Sequence, residues 1–289
     1  MPRPQVGPQV VYQRSRRIAQ AGLVINPTSG RNLREANLLL ALAHHAGLDY
    51  AEGRDFESLK EATSTLLAQK KKILLVSGGD GTFSAVLTAC LRARRLPVLA
   101  VLPGGTTNLI AWDVSRPKGQ LKIFRHFLAG KPPAVKIRRA LKIKSYEIYG
   151  MFCAAGMLAE GIRRYNLNRQ ERGLRGLKNA LPVTGSLLKE VFFRGRPGLP
   201  LNTSPAAPFR LNTVMVTTLE KVFLPLKPFV SRCPYLKVGF FPEKLLPFKV
   251  SCLPEIELKS STLAVDGEIL TGQATFTVET GPEVIFYRW

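Results

Sequence analysis

Apolar runs and amphipathic stretches alternate through the first third of the chain. Continuous apolar runs predict buried strands at residues 21–25, 73–76 and 98–102. The stretches between and after them predict helices at residues 33–46, 56–69, 82–94 and near 106–112. Such alternation, with strands that are apolar throughout, is typical of a parallel sheet covered by helices on both faces. We therefore predict an α/β domain with a doubly wound parallel sheet over residues 1–130.

The pattern changes after about residue 130. Two strand-like runs, 134–144 and 147–154, predict a hairpin, and a mixed basic and apolar stretch follows at 158–193. From residue 211 onward Val, Thr and Phe dominate between prolines, which predicts antiparallel strands, including those at 255–258, 262–265 and 274–280. We therefore predict a mainly antiparallel β domain with a helical insertion over residues 131–289.

Composition narrows the class of protein. The 289 residues are 45% hydrophobic, enough to bury a core and to exclude general disorder. We expect no transmembrane helix, because the longest apolar candidate, 38–48, is interrupted by His44 and His45. Residues 1–20 lack the apolar segment of a secretory signal. The four cysteines are scattered without metal-ligand spacing, which favours a reducing, cytoplasmic compartment.

Positive charge is concentrated in the middle of the chain. The formal net charge is +22, and residues 116–196 hold 19 Lys and Arg against 4 Asp and Glu. This excess indicates either a solvated face or an anionic partner: nucleic acid, a phospholipid surface or a phosphorylated substrate. Within it, residues 158–181 carry apolar side chains at helical spacing with Arg and Lys between them. That segment is either a helix packed on the β domain or a helix at a membrane surface.

Three short loops carry the candidate chemistry. They read Asn-Pro-Thr-Ser-Gly-Arg at 26–31, Ser-Gly-Gly-Asp-Gly-Thr at 77–82 and Pro-Gly-Gly-Thr-Thr-Asn at 103–108, and each follows a predicted strand. Ligands bind parallel sheets at this edge, where glycines let backbone N–H groups approach phosphate oxygens. One such loop is often only a glycine-rich turn, but three on one sheet edge predict an anion site. Its candidate residues are Asn26, Thr28, Ser29, Gly30, Arg31, Gly78, Gly79, Asp80, Gly81, Thr82, Gly105, Thr106, Thr107 and Asn108.

The second loop matches neither the Walker loop nor the dinucleotide fingerprint. With its Gly-Gly-Asp-Gly-Thr core at 78–82, the sequence resembles the diacylglycerol kinase catalytic family, in its bacterial lipid kinase branch related to sphingosine and ceramide kinases. NAD kinases share that core. The Asn-Pro-x-Ser-Gly pattern at 26–30 and the Pro-x-Gly-Thr-x-Asn pattern at 103–108 are similar to the lipid kinase branch. Val-Asp-Gly-Glu at 265–268 is a fourth match.

The resemblance implies a two-domain kinase that binds ATP in the interdomain cleft, with its phosphates beside residues 78–82. The γ-phosphoryl group would pass, with Mg²⁺, to a hydroxyl of a lipid approaching from the second domain. It also implies that Asp266 is the general base, with Asp80 as the competing candidate or a group near the phosphates or Mg²⁺. Glu268 would contact the nucleotide or support the metal. Asp-Gly at 266–267 is by itself an ordinary hairpin signal.

Three departures from the family pattern limit what the resemblance implies. Leu109 stands where the family often has an acidic residue, and residues 151–157 lack an Asn that relatives often carry. Residues 213–229 hold Glu220 as their only acid, so we expect the accessory metal site to be absent or altered.

We expect an ATP-dependent phosphotransferase acting on diacylglycerol or a related lipid alcohol in phospholipid metabolism. It would lie in the cytoplasm, at the inner face of the membrane, with residues 116–196 against anionic lipid. One alternative is an NAD kinase, disfavoured by the 103–108 loop and by the basic, apolar central segment. Another is a basic nucleic-acid-binding protein, disfavoured because residues 158–193 lack the interleaved aromatics of a stacking platform.

Overall fold

The computed structural model describes residues 15–115, 119–171, 211–220, 233–242 and 249–289. The chain divides into two compact units. The first comprises residues 1–137 and 284–289, and the second comprises residues 138–283. The domains predicted at 1–130 and 131–289 stay a prediction. The first unit also includes the last six residues of the chain. No change in composition along the sequence indicates that these residues belong to it.

The described helices are α1 (Asn32–His45), α2 (Phe56–Ala68), α3 (Asp80–Arg92), α4 (Leu109–Val114), α5 (Gln120–Leu128) and α6 (Met157–Glu171). The described strands are β1 (Ala21–Ile25), β2 (Asp49–Glu52), β3 (Ile73–Gly78), β4 (Val98–Pro103), β5 (Ala134–Ile143), β6 (Ile148–Gly150), β7 (Phe152–Gly156), β8 (Leu211–Thr217), β9 (Leu236–Pro242), β10 (Lys249–Leu253), β11 (Glu255–Lys259), β12 (Thr262–Val265), β13 (Glu268–Thr271) and β14 (Thr275–Arg288).

The first unit is built on parallel strands in the order β2-β1-β3-β4. The end of β14 joins beside β4, where Phe286 pairs with Leu99. Strands β1 and β3 are buried along their whole length, as expected for central strands covered on both faces. One core cluster joins the sheet to the helices, for example through Leu75, Phe124 and Phe127. The predicted doubly wound α/β fold is confirmed.

The second unit is mainly antiparallel. Its described strands form a sheet in the order β10-β9-β8-β7-β12-β13. Two further antiparallel pairs, β5 with β6 and β11 with the start of β14, lie outside that sheet. Their apolar sides form one core cluster with β7, β8 and β9, which includes Leu141, Val216 and Phe276. The predicted β-rich fold of this part is confirmed.

The predicted second strand of the hairpin, 147–154, is wrong as a single strand. The chain bends at Met151, so that β6 pairs with β5 while β7 pairs with β8 and β12 in a different sheet. The residues on both sides of Met151 are strand-forming, and tertiary contacts stabilise the bend. The Met151 carbonyl accepts hydrogen bonds from the Thr217 hydroxyl at 2.8 Å and the Thr218 N–H at 3.1 Å, and a side chain described below binds the Met151 N–H.

Two cysteines are paired, which the scattered cysteine pattern did not predict. Cys233 and Cys252 form a disulfide. They are 19 residues apart in sequence and meet because β9 and β10 pair antiparallel. Cys90 and Cys153 are buried free thiols, and burial raises the pKa of Cys90 to about 12.

The predicted helix 158–181 is described as α6 up to Glu171, and residues 172–181 lie outside the described residues. So do residues 116–118 and 172–196 of the basic segment. In the part of the chain that the structure describes, no helix is both long and apolar enough to cross a membrane.

Candidate active site

The three loops singled out in the sequence meet at one edge of the parallel sheet. Strands β1, β3 and β4 are neighbours and run in the same direction, so the loops that follow them are adjacent. Main-chain hydrogen bonds join them directly. The Asn26 N–H donates to Ser77 O at 2.9 Å, and the Arg31 N–H donates to Gly104 O at 2.7 Å. The N–H groups of Gly104 and Gly105 both donate to Gly78 O, at 2.9 and 3.0 Å.

The glycines of these loops are required by close backbone approach. A Cβ at Gly105 would lie 2.4 Å from the Cα of Gly79, and one at Gly104 would lie 2.5 Å from Asn32 Oδ1. A Cβ at Gly30 would stand 3.0 Å from the carbonyl carbon of Gly105. At Gly30 and Gly105 main chain therefore packs on main chain, and a side chain at any of these three glycines would collide with its neighbours.

Helix α3 begins within the second loop. Its N-cap is Gly79, which has no side chain to serve the N–H groups of the first turn. Those groups have no intrahelical acceptor, and together with the helix dipole they favour a bound anion. Gly79 and Gly81 are partly exposed, so the turn is accessible. The geometry suits phosphate oxygens.

Asn26 fastens the first loop to the second. Its Oδ1 accepts hydrogen bonds from the N–H and the hydroxyl of Thr28, at 3.0 and 2.8 Å. Its Nδ2 donates to Thr82 Oγ1 at 3.3 Å, on the first turn of α3. Ser29 and Thr106 are partly exposed, while Arg31 and Thr107 are exposed. Ser29, Thr106 and Arg31 thus offer hydroxyl and guanidinium donors in the loops that meet at this helix, whereas the Thr107 hydroxyl donates to Asp80.

Asp80 is buried and organises the third loop. Its Oδ2 accepts hydrogen bonds from the Thr107 hydroxyl at 2.9 Å and the Leu109 N–H at 3.0 Å, and its Oδ1 accepts one from the Ile110 N–H at 3.0 Å. Burial raises the pKa of Asp80, and the hydrogen bonds from Ile110, Leu109 and Thr107 oppose that rise. The carboxylate thus accepts hydrogen bonds from the first turn of α4, and Leu109 takes part in them through its main-chain N–H.

Asn108 completes the third loop from within. It adopts a left-handed conformation with φ 51°. Its Oδ1 accepts a hydrogen bond from the Gly105 N–H at 2.9 Å, and its Nδ2 donates to Gly105 O at 2.7 Å. Asn tolerates this backbone conformation better than most residues, which explains its place at the end of the motif.

A buried network of hydrogen-bonded polar side chains, which the sequence analysis did not predict, supports the loops. Asn32 Nδ2 donates to Asn26 O at 2.8 Å and to Ser77 O at 3.1 Å. Gln120 Nε2 donates to Asn32 Oδ1 at 2.8 Å and to Glu35 Oε2 at 2.8 Å, while the Ser77 hydroxyl donates to Gln120 Oε1 at 2.9 Å. The available signal was weak: a Ser ending an apolar strand and an Asn directly after the first motif.

Asp266 lies in the second unit, in the turn between β12 and β13. Asp266 and Gly267 have φ values of 48° and 97°, as a two-residue turn of type I′ requires, and Val265 pairs with Glu268. The carboxylate accepts hydrogen bonds from the Met151 N–H at 2.9 Å and the Phe152 N–H at 3.0 Å. Asp266 therefore supplies one of the tertiary contacts that stabilise the bend between β6 and β7.

Further contacts with β7 and Gly150 hold Asp266 in place. The Asp266 N–H donates to Phe152 O at 2.9 Å, and the residue is only 5% exposed. A Cβ at Gly150 would lie 2.5 Å from Asp266 Oδ2, so the preceding glycine makes room for the carboxylate. Glu268, the other acid of this motif, is exposed on β13. Its predicted contact with a nucleotide or a metal stays a prediction.

No group of three or more His, Cys, Asp or Glu side chains that could hold a metal ion occurs among the described residues. Glu220, the single acid noted in residues 213–229, forms an ion pair with Arg138 at 2.6 Å. That acid is therefore engaged by an arginine of β5.

Comparison with known proteins agrees with the motifs. Residues 20–140 match the family model of the diacylglycerol kinase catalytic domain, which confirms the resemblance over the segment that holds all three loops. A diacylglycerol kinase of Staphylococcus saprophyticus is 32% identical over 94 residues, which cover 31% of this chain and 30% of that protein. The probable lipid kinase YegS of Escherichia coli O127:H6 is 30% identical over 127 residues, 42% of this chain and 41% of that protein.

The match to these curated relatives thus spans less than half of their length. A solved diacylglycerol kinase structure from Bacillus anthracis str. Sterne covers 92% of this chain and 95% of its own, with a TM-score of 0.60 and 16% identity. That likeness extends the shared fold over the second unit. Asp266 lies outside the segment matched by the family model.

Proposed function

We propose that this chain, whose residues 20–140 match the diacylglycerol kinase catalytic domain, is an ATP-dependent lipid kinase. It transfers the γ-phosphoryl group of ATP to a hydroxyl of diacylglycerol or a related lipid alcohol. The observation that carries the proposal is the junction of the three loops, where main chain packs on main chain beside the N-terminus of α3. That arrangement, within the segment similar to kinases, supports a nucleotide phosphate site.

The loop side chains supply the contacts that an ATP phosphate chain needs. The first-turn N–H groups of α3 and the hydroxyls of Ser29 and Thr106 offer neutral donors, and the exposed guanidinium of Arg31 offers a bidentate one. Mg²⁺, when bound with ATP, neutralises charge on the phosphates. Asp80 already serves three protein donors. We therefore propose that it shapes the third loop, while Asp266 accepts the substrate proton.

Asp266 has the chemistry of a general base. Two main-chain N–H groups fix its carboxylate. A carboxylate oxygen can accept more than one hydrogen bond, and in this proposal the substrate hydroxyl donates one of them. In the proposed step this carboxylate accepts the hydroxyl proton while the lipid oxygen bonds to the γ-phosphorus. The bond between that phosphorus and the β,γ-bridging oxygen breaks, and ADP leaves.

The positive charge of residues 116–196 supports the proposal that the enzyme acts at a membrane surface. On α6, Arg163 and Arg164 are 41% and 57% exposed, although both pair with Glu160. We propose that residues 116–196 dock the enzyme on anionic lipid at the inner face of the membrane, where its substrate resides. Binding to vesicles should then rise with their content of phosphatidylglycerol and fall with added salt.

A labelled-ATP assay against a panel of vesicle-borne lipids tests the proposal. We expect label in diacylglycerol or another lipid alcohol, and a higher KM for ATP in Arg31→Gln. Arg34→Gln, which removes an exposed arginine on α1, is the matched control and should keep the wild-type KM. If no lipid is labelled while NAD is converted to NADP, the chain is a soluble nucleotide kinase instead.

A further inference from the structure

We infer that Asn166 is a positioning residue for the turn that carries Asp266, an inference that rests on the proposed role of Asp266 as the base. Asn166 lies on α6 and its Nδ2 donates a hydrogen bond to Gly267 O at 2.9 Å. Neither the motifs nor the matched family segment, residues 20–140, includes this residue. It connects a helix to the turn over a sequence separation of 101 residues.

The turn is supported from two sides. On its inner side, Asp266 is buried; its carboxylate accepts hydrogen bonds from the Met151 and Phe152 N–H groups, and its N–H donates to Phe152 O. Gly267, on the outer side, is exposed, and a Cβ built there would meet nothing within 4 Å. The contact from Asn166 therefore secures the half of the turn that packing leaves open.

Helix α6, which carries Asn166, is packed against the antiparallel sheet of the second unit. It packs on β7, β8, β12 and β13, and its Ala159 is fully buried. The Leu158 N–H donates to Thr213 Oγ1 on β8 at 3.4 Å. Within the helix, Glu160 accepts two hydrogen bonds from Arg163, both at 2.7 Å. A hydrogen bond from such a helix limits the positions that the Asp-Gly turn can take.

Loss of this contact should affect the chemical step more than nucleotide binding, because the hydrogen bond from Asn166 goes to the turn that carries the proposed base. One hydrogen bond of this kind corresponds to about a 3- to 10-fold change in rate when its loss misplaces the base. We therefore expect Asn166→Ala to lower kcat about 3- to 10-fold with the KM for ATP unchanged.

Three further variants sharpen the test. Asn166→Asp keeps the shape but places a carboxylate against Gly267 O, so its kcat should fall at least as far as that of Asn166→Ala. Asn166→Gln restores an amide donor and should recover part of the lost rate. Leu167→Ala is the matched control, because Leu167 is 42% exposed on the same helix, and it should keep the wild-type kcat.

Hydrogen exchange gives a readout that does not need activity. The amides of residues 266–269 should exchange faster in Asn166→Ala than in the wild type or in Leu167→Ala. Unchanged exchange, or a kcat equal to that of Leu167→Ala, overturns the inference. A wild-type protein that labels no lipid, together with faster exchange in Asn166→Ala, supports the contact and overturns the proposed function instead.

Discussion

Asp80→Asn separates a carboxylate that shapes a loop from one that performs chemistry. In the wild type, both oxygens of Asp80 accept hydrogen bonds, from the Leu109 and Ile110 N–H groups and from the Thr107 hydroxyl. Asparagine offers one oxygen and turns an NH₂ group toward the remaining donor. Whichever way the amide is placed, the N–H of either Leu109 or Ile110 loses its acceptor at this largely buried carboxylate, which costs about 1–3 kcal/mol.

We therefore expect Asp80→Asn to lower the free energy of unfolding by about 2 kcal/mol, measured by urea denaturation followed by circular dichroism. Glu61→Gln, which changes an exposed carboxylate on α2, should stay within about 0.5 kcal/mol of the wild type. An Asp80→Asn protein that is as stable as the wild type yet transfers no phosphoryl group would refute the structural role, and would make Asp80 a participant in the reaction.

Three other variants or conditions test separate parts of the structure. Gly105→Ala places a Cβ against the backbone of the second loop, so it should lower both the melting temperature and the affinity for ATP, whereas Gly119→Ala, which meets nothing within 4 Å, should do neither. Hydrogen bonds from Arg163 and, to a lesser extent, Arg164, together with their positive charge, lower the pKa of Glu160 to about 2 from its ordinary value of 4.5. Its stabilising contribution is therefore complete above pH 4.5 and disappears as the pH falls toward 2. In unfolding experiments across that range, the advantage of the wild type over Glu160→Gln should shrink with falling pH, and a constant difference would contradict the ion pair. Reduction of the disulfide between Cys233 and Cys252 should cost about 2–4 kcal/mol of stability, and a Cys233→Ser protein should show no response to reductant.

The architecture of the first unit follows closely from the sequence. Strands β1, β3 and β4 are continuous apolar runs, and the loops that follow them carry the glycines that close packing demands. The edge strand β2 was not predicted, because Asp-Tyr-Ala-Glu is polar and mostly exposed, and it owes its conformation to pairing with β1. Local patterning identifies buried central strands and does not identify such an edge.

Contacts distant in sequence explain what the pattern could not predict. The bend at Met151 depends on a carboxylate 115 residues away, and Asp80 serves a helix that begins 29 residues later. The network of Asn32, Ser77 and Gln120 joins three elements whose proximity exists only in the fold. Residue types indicated which side chains could bind phosphate or accept a proton. The hydrogen bonds of the folded chain indicate the role of each side chain.

Phosphoryl transfer by Asp266→Asn tests the central claim most directly. The measurement is the rate at which label passes from γ-labelled ATP to diacylglycerol in vesicles, with ATP binding measured in parallel. We predict that Asp266→Asn binds ATP like the wild type but transfers phosphate at least about 100-fold more slowly, because a general base contributes that much. Glu257→Gln, which alters an exposed acid on β11, should keep the wild-type rate. Transfer by Asp266→Asn at the wild-type rate would contradict the account.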